Sequence, residues 1–190
     1  MRNIITCVSF FLLALTSGSA LAQKEPNPVV VVETNVGDIT IELFKDRAPA
    51  TVNNFLTYAS SNFYGGTIFH RVVKGFMIQG GGYTPQMRLK KTGAPIKNEA
   101  SLLLKNVRGT VAAARSNGVH TATSQFFINT DNNPSLDHKS IRPDEFGYAV
   151  FGKVIEGMDV VDKIERIKVN GKSVPESLVM ITKVSLKEPQ

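Results

Sequence analysis

The residues with the clearest capacity for chemistry lie in the segment 64–80, where one arginine stands among aromatic and aliphatic side chains. The segment contains Phe69-His70-Arg71, followed closely by Phe76-Met77-Ile78-Gln79-Gly80. A guanidinium buried beside an apolar surface needs a polar ligand or a local acceptor to offset its desolvation. No Asp or Glu occurs between Asp46 and Glu99, so Arg71 has no acidic neighbour in the sequence. This combination predicts a site for an apolar ligand with one polar group.

Two short strands are predicted here, over residues 68–72 and 76–80, joined by Val73-Lys74-Gly75. The alternation of side chains along a strand then puts Arg71 on a common face with alternate residues of the neighbouring strand. The same alternation points His70 away from Arg71, which favours a hydrogen-bonded structural histidine over an acid or a base. From these residues alone, a surface arginine on an ordinary hairpin is the simpler interpretation.

The wider sequence resembles the cyclophilin-type peptidyl-prolyl cis-trans isomerases, in which Phe-His-Arg is followed by Phe-Met-x-Gln-Gly. The resemblance continues in the runs Thr123-Ser124-Gln125-Phe126-Phe127-Ile128-Asn129, Ser135-Leu136-Asp137 and 146–154, in the family's order. It extends from about Val29 to about Leu186 and so covers nearly all of the chain after the N-terminal segment. Several independent segments in one order make the resemblance specific.

This resemblance implies an enzyme that accelerates rotation about the bond preceding proline, with Arg71 as the catalytic residue. It also implies an apolar cup for the proline ring, two amides that bind substrate or orient Arg71, and an edge segment that pairs with the peptide backbone. The matching residues are Phe76, Met77, Phe127 and Leu136 for the cup, Gln79 and Gln125 for the amides, Ala114 and Arg115 for the edge, and Tyr148 for the pocket wall. Periodicity alone does not separate the cup residues from ordinary core residues.

The implied reaction needs no covalent step, metal or cofactor. His70, His120 and His138 do not show metal-ligand spacing, and Ser124 lacks the G-x-S-x-G setting of a hydrolase nucleophile. Two other functions stay open: a holdase that binds peptides in the groove without turnover, and a cyclophilin-fold scaffold with a host-contact or secretion role. The retained Arg71 favours the enzyme, because simple binding does not require an arginine so specifically placed.

Three positions depart from the family's common pattern. Ser135 stands where many eukaryotic cyclophilins have a tryptophan that contributes to cyclosporin binding, so the resemblance implies weak cyclosporin binding here. Tyr148 replaces a substrate-lining histidine, a form that resembles the bacterial exported cyclophilins. Ala113 replaces a common methionine and is expected to widen one pocket wall.

The elements that must position these residues are mostly short strands. Residues 29–34 and 38–43 are predicted to form a hairpin, and apolar residues at helical spacing predict helices over 48–59 and 158–167. Further β segments are predicted at 109–114, 125–129, 149–154 and 179–186. Such a pattern indicates a closed or nearly closed antiparallel barrel. The resemblance implies a mainly β fold, an eight-stranded cyclophilin-like barrel capped by two α-helices.

The N-terminus has the features of a secretory signal peptide. Met1-Arg2-Asn3 is basic, residues 4–15 are apolar, and Ala20-Leu21-Ala22 is an A-x-A cleavage pattern. We therefore expect a signal peptide over 1–22, a flexible leader over 23–28 and one isomerase domain over 29–190. A membrane anchor fits less well, because the apolar run is short for a span. The expected location is the periplasm, and the expected partners are proline-containing polypeptides and unfolded exported proteins.

Composition limits the remaining function classes. The only cysteine, Cys7, lies in the predicted signal, so the mature chain must rely on its core rather than on disulfides. The net charge of +6 falls by one when Arg2 is removed, which is a mild bias. The run Arg88-Leu89-Lys90-Lys91 has no interleaved aromatic residues, so we interpret it as a solvated loop and not as a nucleic-acid or membrane patch. A monomer is expected.

Overall fold

Eight antiparallel strands and two α-helices form the regular structure of the computed structural model, which describes residues 26–187. The strands are β1 (Val29–Thr34), β2 (Gly37–Leu43), β3 (Thr67–Val73), β4 (Met77–Tyr83), β5 (Thr110–Ala113), β6 (Phe126–Asn129), β7 (Val150–Glu156) and β8 (Met180–Leu186). The helices are α1 (Pro49–Ser60) and α2 (Met158–Glu165), and a 3₁₀ turn spans Pro134–Leu136. The strands close in the order β1-β2-β7-β5-β6-β4-β3-β8. The predicted closed eight-stranded barrel is confirmed.

The barrel interior is filled by side chains from alternate strand positions. On β2, the side chains of Ile39, Ile41 and Leu43 are fully buried, as the alternation predicts. Alternation puts Thr40 on the opposite face of this strand, yet only 5% of it is exposed. Its hydroxyl donates a hydrogen bond of 3.1 Å to Oε2 of Glu156 on β7, which satisfies the buried polar group.

Helix α1 packs its apolar stripe against this core. The ring of Phe55 lies 5.0 Å from that of Tyr64 and 5.5 Å from that of Phe126, measured between centroids. Pro49 occupies the first turn of the helix, where its missing N–H is not needed. The backbone N–H groups of the next two residues donate to the carboxylate of Glu99, at 3.1 and 2.7 Å. A residue distant in sequence therefore caps α1, and its negative charge interacts favourably with the positive end of the helix dipole.

A second apolar cluster lies on the outer surface of the barrel. Phe126 and Ile128 belong to the interior core, whereas the intervening Phe127 packs outside with Met77 and Ala112. Alternation along β6 explains the division, because successive side chains point to opposite faces of a strand. We call this group, which also contains Val150, the outer apolar cluster.

Strand β3 contains an irregularity that alternation does not predict. Phe69 pairs with Gly80 and Arg71 pairs with Gln79, so His70 is an extra residue in β3 relative to β4. Such a bulge changes which face the following residues occupy. Phe69 packs in the interior core, while Arg71, two residues later, is exposed on the outer face.

Candidate active site

One row of cross-strand partners crosses five neighbouring strands on the outer face. Arg71 pairs with Gln79, Gln79 with Phe127, Phe127 with Ala112, and Ala112 with Val150. Directly opposed residues of antiparallel strands have Cβ atoms about 4.5–5.5 Å apart. The strand register therefore holds a guanidinium beside an amide, and that amide beside the outer apolar cluster.

A cavity of about 280 Å³ opens above this row and contains nearly all of the predicted site residues. Its lining consists of Arg71, Phe76, Met77, Gln79, Ala114, Arg115, Phe127, Leu136 and Tyr148. Gln125 is the one predicted site residue outside this lining. It lies in an adjoining cavity and accepts a hydrogen bond of 3.0 Å from Nε2 of Gln79. The fold thus brings together residues that are up to 77 positions apart in the sequence, from Arg71 to Tyr148.

Arg71 is exposed, which agrees with the surface arginine of the simpler interpretation and not with a guanidinium buried beside the apolar residues. Strand β3 turns it outward after the bulge. Nη1 lies 3.4 Å from Oε1 of Gln79 and 3.8 Å from Sδ of Met77. Within residues 26–187, no carboxylate forms an ion pair with Arg71. Its remaining donors are available to a ligand in the cavity.

The apolar side of the cavity is the outer apolar cluster itself. Only 2% of Met77 and 4% of Phe127 are exposed, while Phe76 and Leu136 are half-buried at the rim. These four residues do not belong to the barrel interior, which answers the question that periodicity left open. Ala113, expected to widen a pocket wall, packs in the interior core and does not line this cavity, although it lines a neighbouring one together with Arg115.

Tyr148 and Arg115 form the opposite wall of the cavity. The Tyr148 ring meets Phe127 edge-on at 5.6 Å between centroids, and the Arg115 guanidinium lies 4.7 Å above the Tyr148 ring. Nε of Arg115 also donates to the carbonyl oxygen of Gly147 at 3.1 Å. Stacking and hydrogen bonding together hold this cation in one place.

A smaller polar cavity of about 180 Å³ adjoins the first. The two cavities share Gln79, Ala114 and Arg115. The remaining lining of the smaller one is polar, from Ser116, Thr121, Thr123 and Gln125. The pairing of β5 with β7 ends at Ala112, followed by one hydrogen bond from Ala113 N to Ala149 O. Ala114 N donates to Gln125 O at 3.0 Å, so the open edge between the cavities begins at Arg115.

Comparison with known proteins identifies the family of the domain that contains these residues. A family model described as "Cyclophilin type peptidyl-prolyl cis-trans isomerase/CLD" matches residues 29–186. The chain belongs to this family. Its isomerase activity, predicted from the sequence, is supported by the family and by the curated relatives, and cyclophilins of this type act on proline-containing peptides.

The similarity to individual cyclophilins covers most of the chain. It is 50% identical over 165 residues to peptidyl-prolyl cis-trans isomerase B of Escherichia coli K12, which covers 84% of this chain and 100% of that protein. It is 51% identical over 177 residues to a peptidyl-prolyl cis-trans isomerase of Acinetobacter baylyi, covering 91% and 90%. A crystal structure of a Cryptosporidium parvum cyclophilin in the presence of the dipeptide Ala-Pro shares 31% identity, with a TM-score of 0.75 over 85% of this chain and 99% of that one.

Behind the cup of this cyclophilin lies a buried network of three asparagines that the sequence analysis missed. Asn129 is fully buried, and its Oδ1 accepts from Nδ2 of Asn133 at 2.7 Å. Asn133 also donates to the carbonyl oxygen of Phe76 at 2.8 Å, and Asn106 donates to that of Leu136 at 3.0 Å. The two rim residues of the cup, Phe76 and Leu136, are therefore anchored through their backbones to one polar network. Asn106 and Asn133 lie outside the predicted strands, where asparagine is typical of turns, and Asn129 ends a predicted strand, so local patterns did not indicate that the three are buried together.

Another cavity lies away from this site, between α1 and β8, with a volume of about 470 Å³. It contains no aromatic side chain and Lys183 is its only charged residue, so it offers few groups for chemistry. Among residues 26–187, no three His, Cys, Asp or Glu side chains are grouped as metal ligands would be. In the same range, neither helix is both long and apolar enough to cross a membrane.

His70 is buried next to Arg71 and is neutral. Its ring packs 4.5 Å from that of Tyr83, and 9% of the residue is exposed. Burial lowers the pKa of His70 to about 4; a hydrogen bond with the Ile68 backbone opposes this shift, and the charge of Arg71 adds to it. Nδ1 has no hydrogen-bond partner among the described residues. The ring is therefore unsuited to proton transfer near pH 7.

The buried neutral His70 predicts a loss of stability in mild acid. Its folded-state pKa of about 4 lies below the unfolded value of about 6.5, so the unfolded chain binds more protons between these pH values. The contribution of the neutral His70 to the free energy of unfolding is complete above pH 6.5 and is lost as the pH falls towards 4. We expect His70 to account for a decrease of roughly 2 kcal/mol in the free energy of unfolding between pH 7 and pH 5. Urea titrations of wild type and His70→Gln measure it; parallel pH profiles would contradict the prediction.

Proposed function

We propose that this cyclophilin accelerates X-Pro isomerisation in exported proteins as they fold, with Arg71 as its catalytic residue. The observation that carries the assignment is the cross-strand row from Arg71 through Gln79 to Phe127 at the 280 Å³ cavity. It places a permanent hydrogen-bond donor beside an apolar cup of suitable character for a proline ring. Nothing in this arrangement requires a cofactor.

The chemistry needed is the loss of amide resonance. The barrier to rotation about the peptide bond is about 18–20 kcal/mol, and the uncatalysed step takes tens of seconds or more. In the twisted state the imide nitrogen becomes pyramidal and can accept a hydrogen bond. Arg71 would donate to this nitrogen and to the proline carbonyl, which stabilises the transition state more than the ground state.

Gln79 supports this role by orienting the guanidinium. Its Oε1 faces Nη1 of Arg71, and its Nε2 is held by Gln125, so the amide cannot rotate without breaking a hydrogen bond. Met77, Phe127 and the rim residues would hold the ring while the residue before proline rotates. The edge segment of Ala114 and Arg115, open from Arg115 onwards, would pair with the extended backbone, a contact that tolerates many side chains.

The isomerase assignment is tested with a chain that starts at Gln23. NMR exchange spectroscopy on a short Ala-Pro peptide measures the cis-trans rate directly, without a coupling protease. We expect a rate that increases linearly with enzyme concentration and far exceeds the uncatalysed rate. Peptide binding without acceleration would instead support the holdase function.

Export of this cyclophilin is proposed from the N-terminal sequence. The expected signal peptide over 1–22 and the first half of the leader over 23–28 lie outside the described residues. Expression of the full chain in a Gram-negative host is expected to give a periplasmic monomer whose N-terminal residue is Gln23. Intact mass and size-exclusion chromatography of the periplasmic fraction check both points. A cytoplasmic protein that retains Met1 would contradict the proposed export.

Weak cyclosporin binding is proposed from Ser135. This residue is exposed next to Leu136 at the cavity rim, where a tryptophan would add apolar surface for the drug. We expect wild type to be inhibited only at micromolar or higher concentrations, and Ser135→Trp to be inhibited at lower ones. Inhibition of the isomerase rate by titrated cyclosporin measures the effect. Nanomolar inhibition of wild type would refute the proposal.

A further inference from the structure

A second arginine stands between the proline cup and the polar cavity. Arg115 lines both cavities, and its guanidinium stacks on Tyr148. Nε donates to Gly147 O at 3.1 Å, and Nη1 lies 3.2 Å from Ser116 O and 3.5 Å from Gly118 O. Nη2 makes no hydrogen bond to residues 26–187. The guanidinium is thus held in place with one nitrogen still able to donate.

No acidic side chain among residues 26–187 neutralises the charge of Arg115. Arg108 forms a bidentate ion pair with Asp162 at 2.8 and 2.9 Å, but Arg115 forms no ion pair within the described residues. Neither cavity is lined by any Asp or Glu of that range, while Arg71 and Arg115 both face the proline cup. The two cavities together form a groove with two positive charges and no negative one.

An extended peptide could place one side chain in each of the two cavities. Side chains two residues apart lie on the same face of a strand, about 7 Å from each other. If a proline ring occupies the cup and the preceding residues pair with the edge that begins at Arg115, the side chain two residues before proline is directed into the polar cavity. That side chain would meet Arg115, together with hydroxyls such as that of Thr121.

We propose that Arg115 gives this isomerase a preference for an acidic side chain two residues before proline. The proposal rests on the proposed function, because it assumes that the cup holds the proline ring. A carboxylate would accept a charge-assisted hydrogen bond from Nη2 in a site with no competing anion. The guanidinium is already ordered by Tyr148 and Gly147, so little side-chain entropy is lost when the carboxylate binds.

A purely structural role for Arg115 makes a different prediction. Its bonds to Gly147, Ser116 and Gly118 join the edge segment to the wall that carries Tyr148. If the side chain only joined these segments, its replacement would slow all peptides equally. Dependence of the rate on substrate charge therefore separates the two roles.

The test uses three peptides that differ only in the residue two positions before an Ala-Pro bond: Glu, Gln or Lys. We expect wild-type kcat/KM, measured by NMR exchange at low salt, to be about three- to tenfold higher for Glu than for Gln, and lowest for Lys. Arg115→Gln is expected to equalise the three peptides, whereas Arg115→Lys retains their order with a smaller ratio. High salt reduces the wild-type ratio, because the charges are partly exposed.

Lys183→Gln is the matched control, because it removes one positive charge from β8, a strand that contributes no residue to either cavity. We expect it to keep the wild-type preference. Equal wild-type rates for the three peptides would overturn the inference and leave the proposed function intact. An equal fall in all three rates in Arg115→Gln, with the ratio kept, would also overturn it. Failure to accelerate even the Gln peptide would instead refute the proposed function.

Discussion

Replacement of Arg71 by alanine is expected to lower kcat/KM for an Ala-Pro peptide by about 100- to 1,000-fold. In the proposed mechanism the variant loses a donor that the imide nitrogen engages only after resonance is broken, so the loss would fall on the transition state. We therefore expect kcat and kcat/KM to fall together, while the dissociation constant of the peptide changes little. NMR exchange gives the rates, and chemical-shift titration gives the binding constant.

Two controls separate this catalytic role from a structural one. Arg71 is exposed and its closest polar partner, Gln79, is 3.4 Å away, so Arg71→Ala should change the free energy of unfolding by less than about 0.5 kcal/mol. Arg71→Lys keeps the charge but loses the planar fork, and we expect an intermediate rate. An undiminished rate in Arg71→Ala would assign the catalysis to another group.

Replacement of Asn129 by leucine is expected to lower the free energy of unfolding by about 2–4 kcal/mol. The side chain is fully buried, and its Nδ2 donates to Oγ1 of Thr110 at 2.9 Å. Its Oδ1 accepts from Asn133, which in turn holds the backbone of Phe76. The leucine leaves polar atoms of Thr110 and Asn133 without their partner in a site closed to solvent. Urea denaturation followed by circular dichroism measures the change.

The same variant should weaken substrate binding, because Phe76 forms part of the cup and is anchored through Asn133. We expect the Asn129→Leu enzyme, assayed where it is folded, to show a higher KM with a smaller effect on kcat. Asn117→Leu is the control, since Asn117 is exposed and should tolerate the change within about 0.5 kcal/mol. Equal stability of the two variants would show that the asparagine network does not support the cup.

Much of this site could be predicted because its residues occur in short, distinctive runs. The Phe-His-Arg and Phe-Met-x-Gln-Gly runs identified Arg71, Phe76, Met77 and Gln79, which line the cavity in the structure. The hairpin at the start of the domain and the two helices also followed from local periodicity, and α2 ends only two residues before its predicted end. Local patterns succeed here because strand alternation and helical spacing depend on neighbours in the chain.

Other features depend on partners that are distant in sequence. The exposure of Arg71 follows from a bulge at His70, which exists only relative to the pairing of β3 with β4. The burial of Asn129 at the end of β6 depends on hydrogen bonds with Asn133 and Thr110, which belong to other segments. The position of Arg115 beside Tyr148 joins residues 33 positions apart. Residue types and periodicity were therefore sufficient to predict the strands, the helices and most of the cavity lining. The strand register, the burial of polar groups and the charge balance of the site were decided only by the folded barrel. Each of them is set by contacts between segments that meet only on folding.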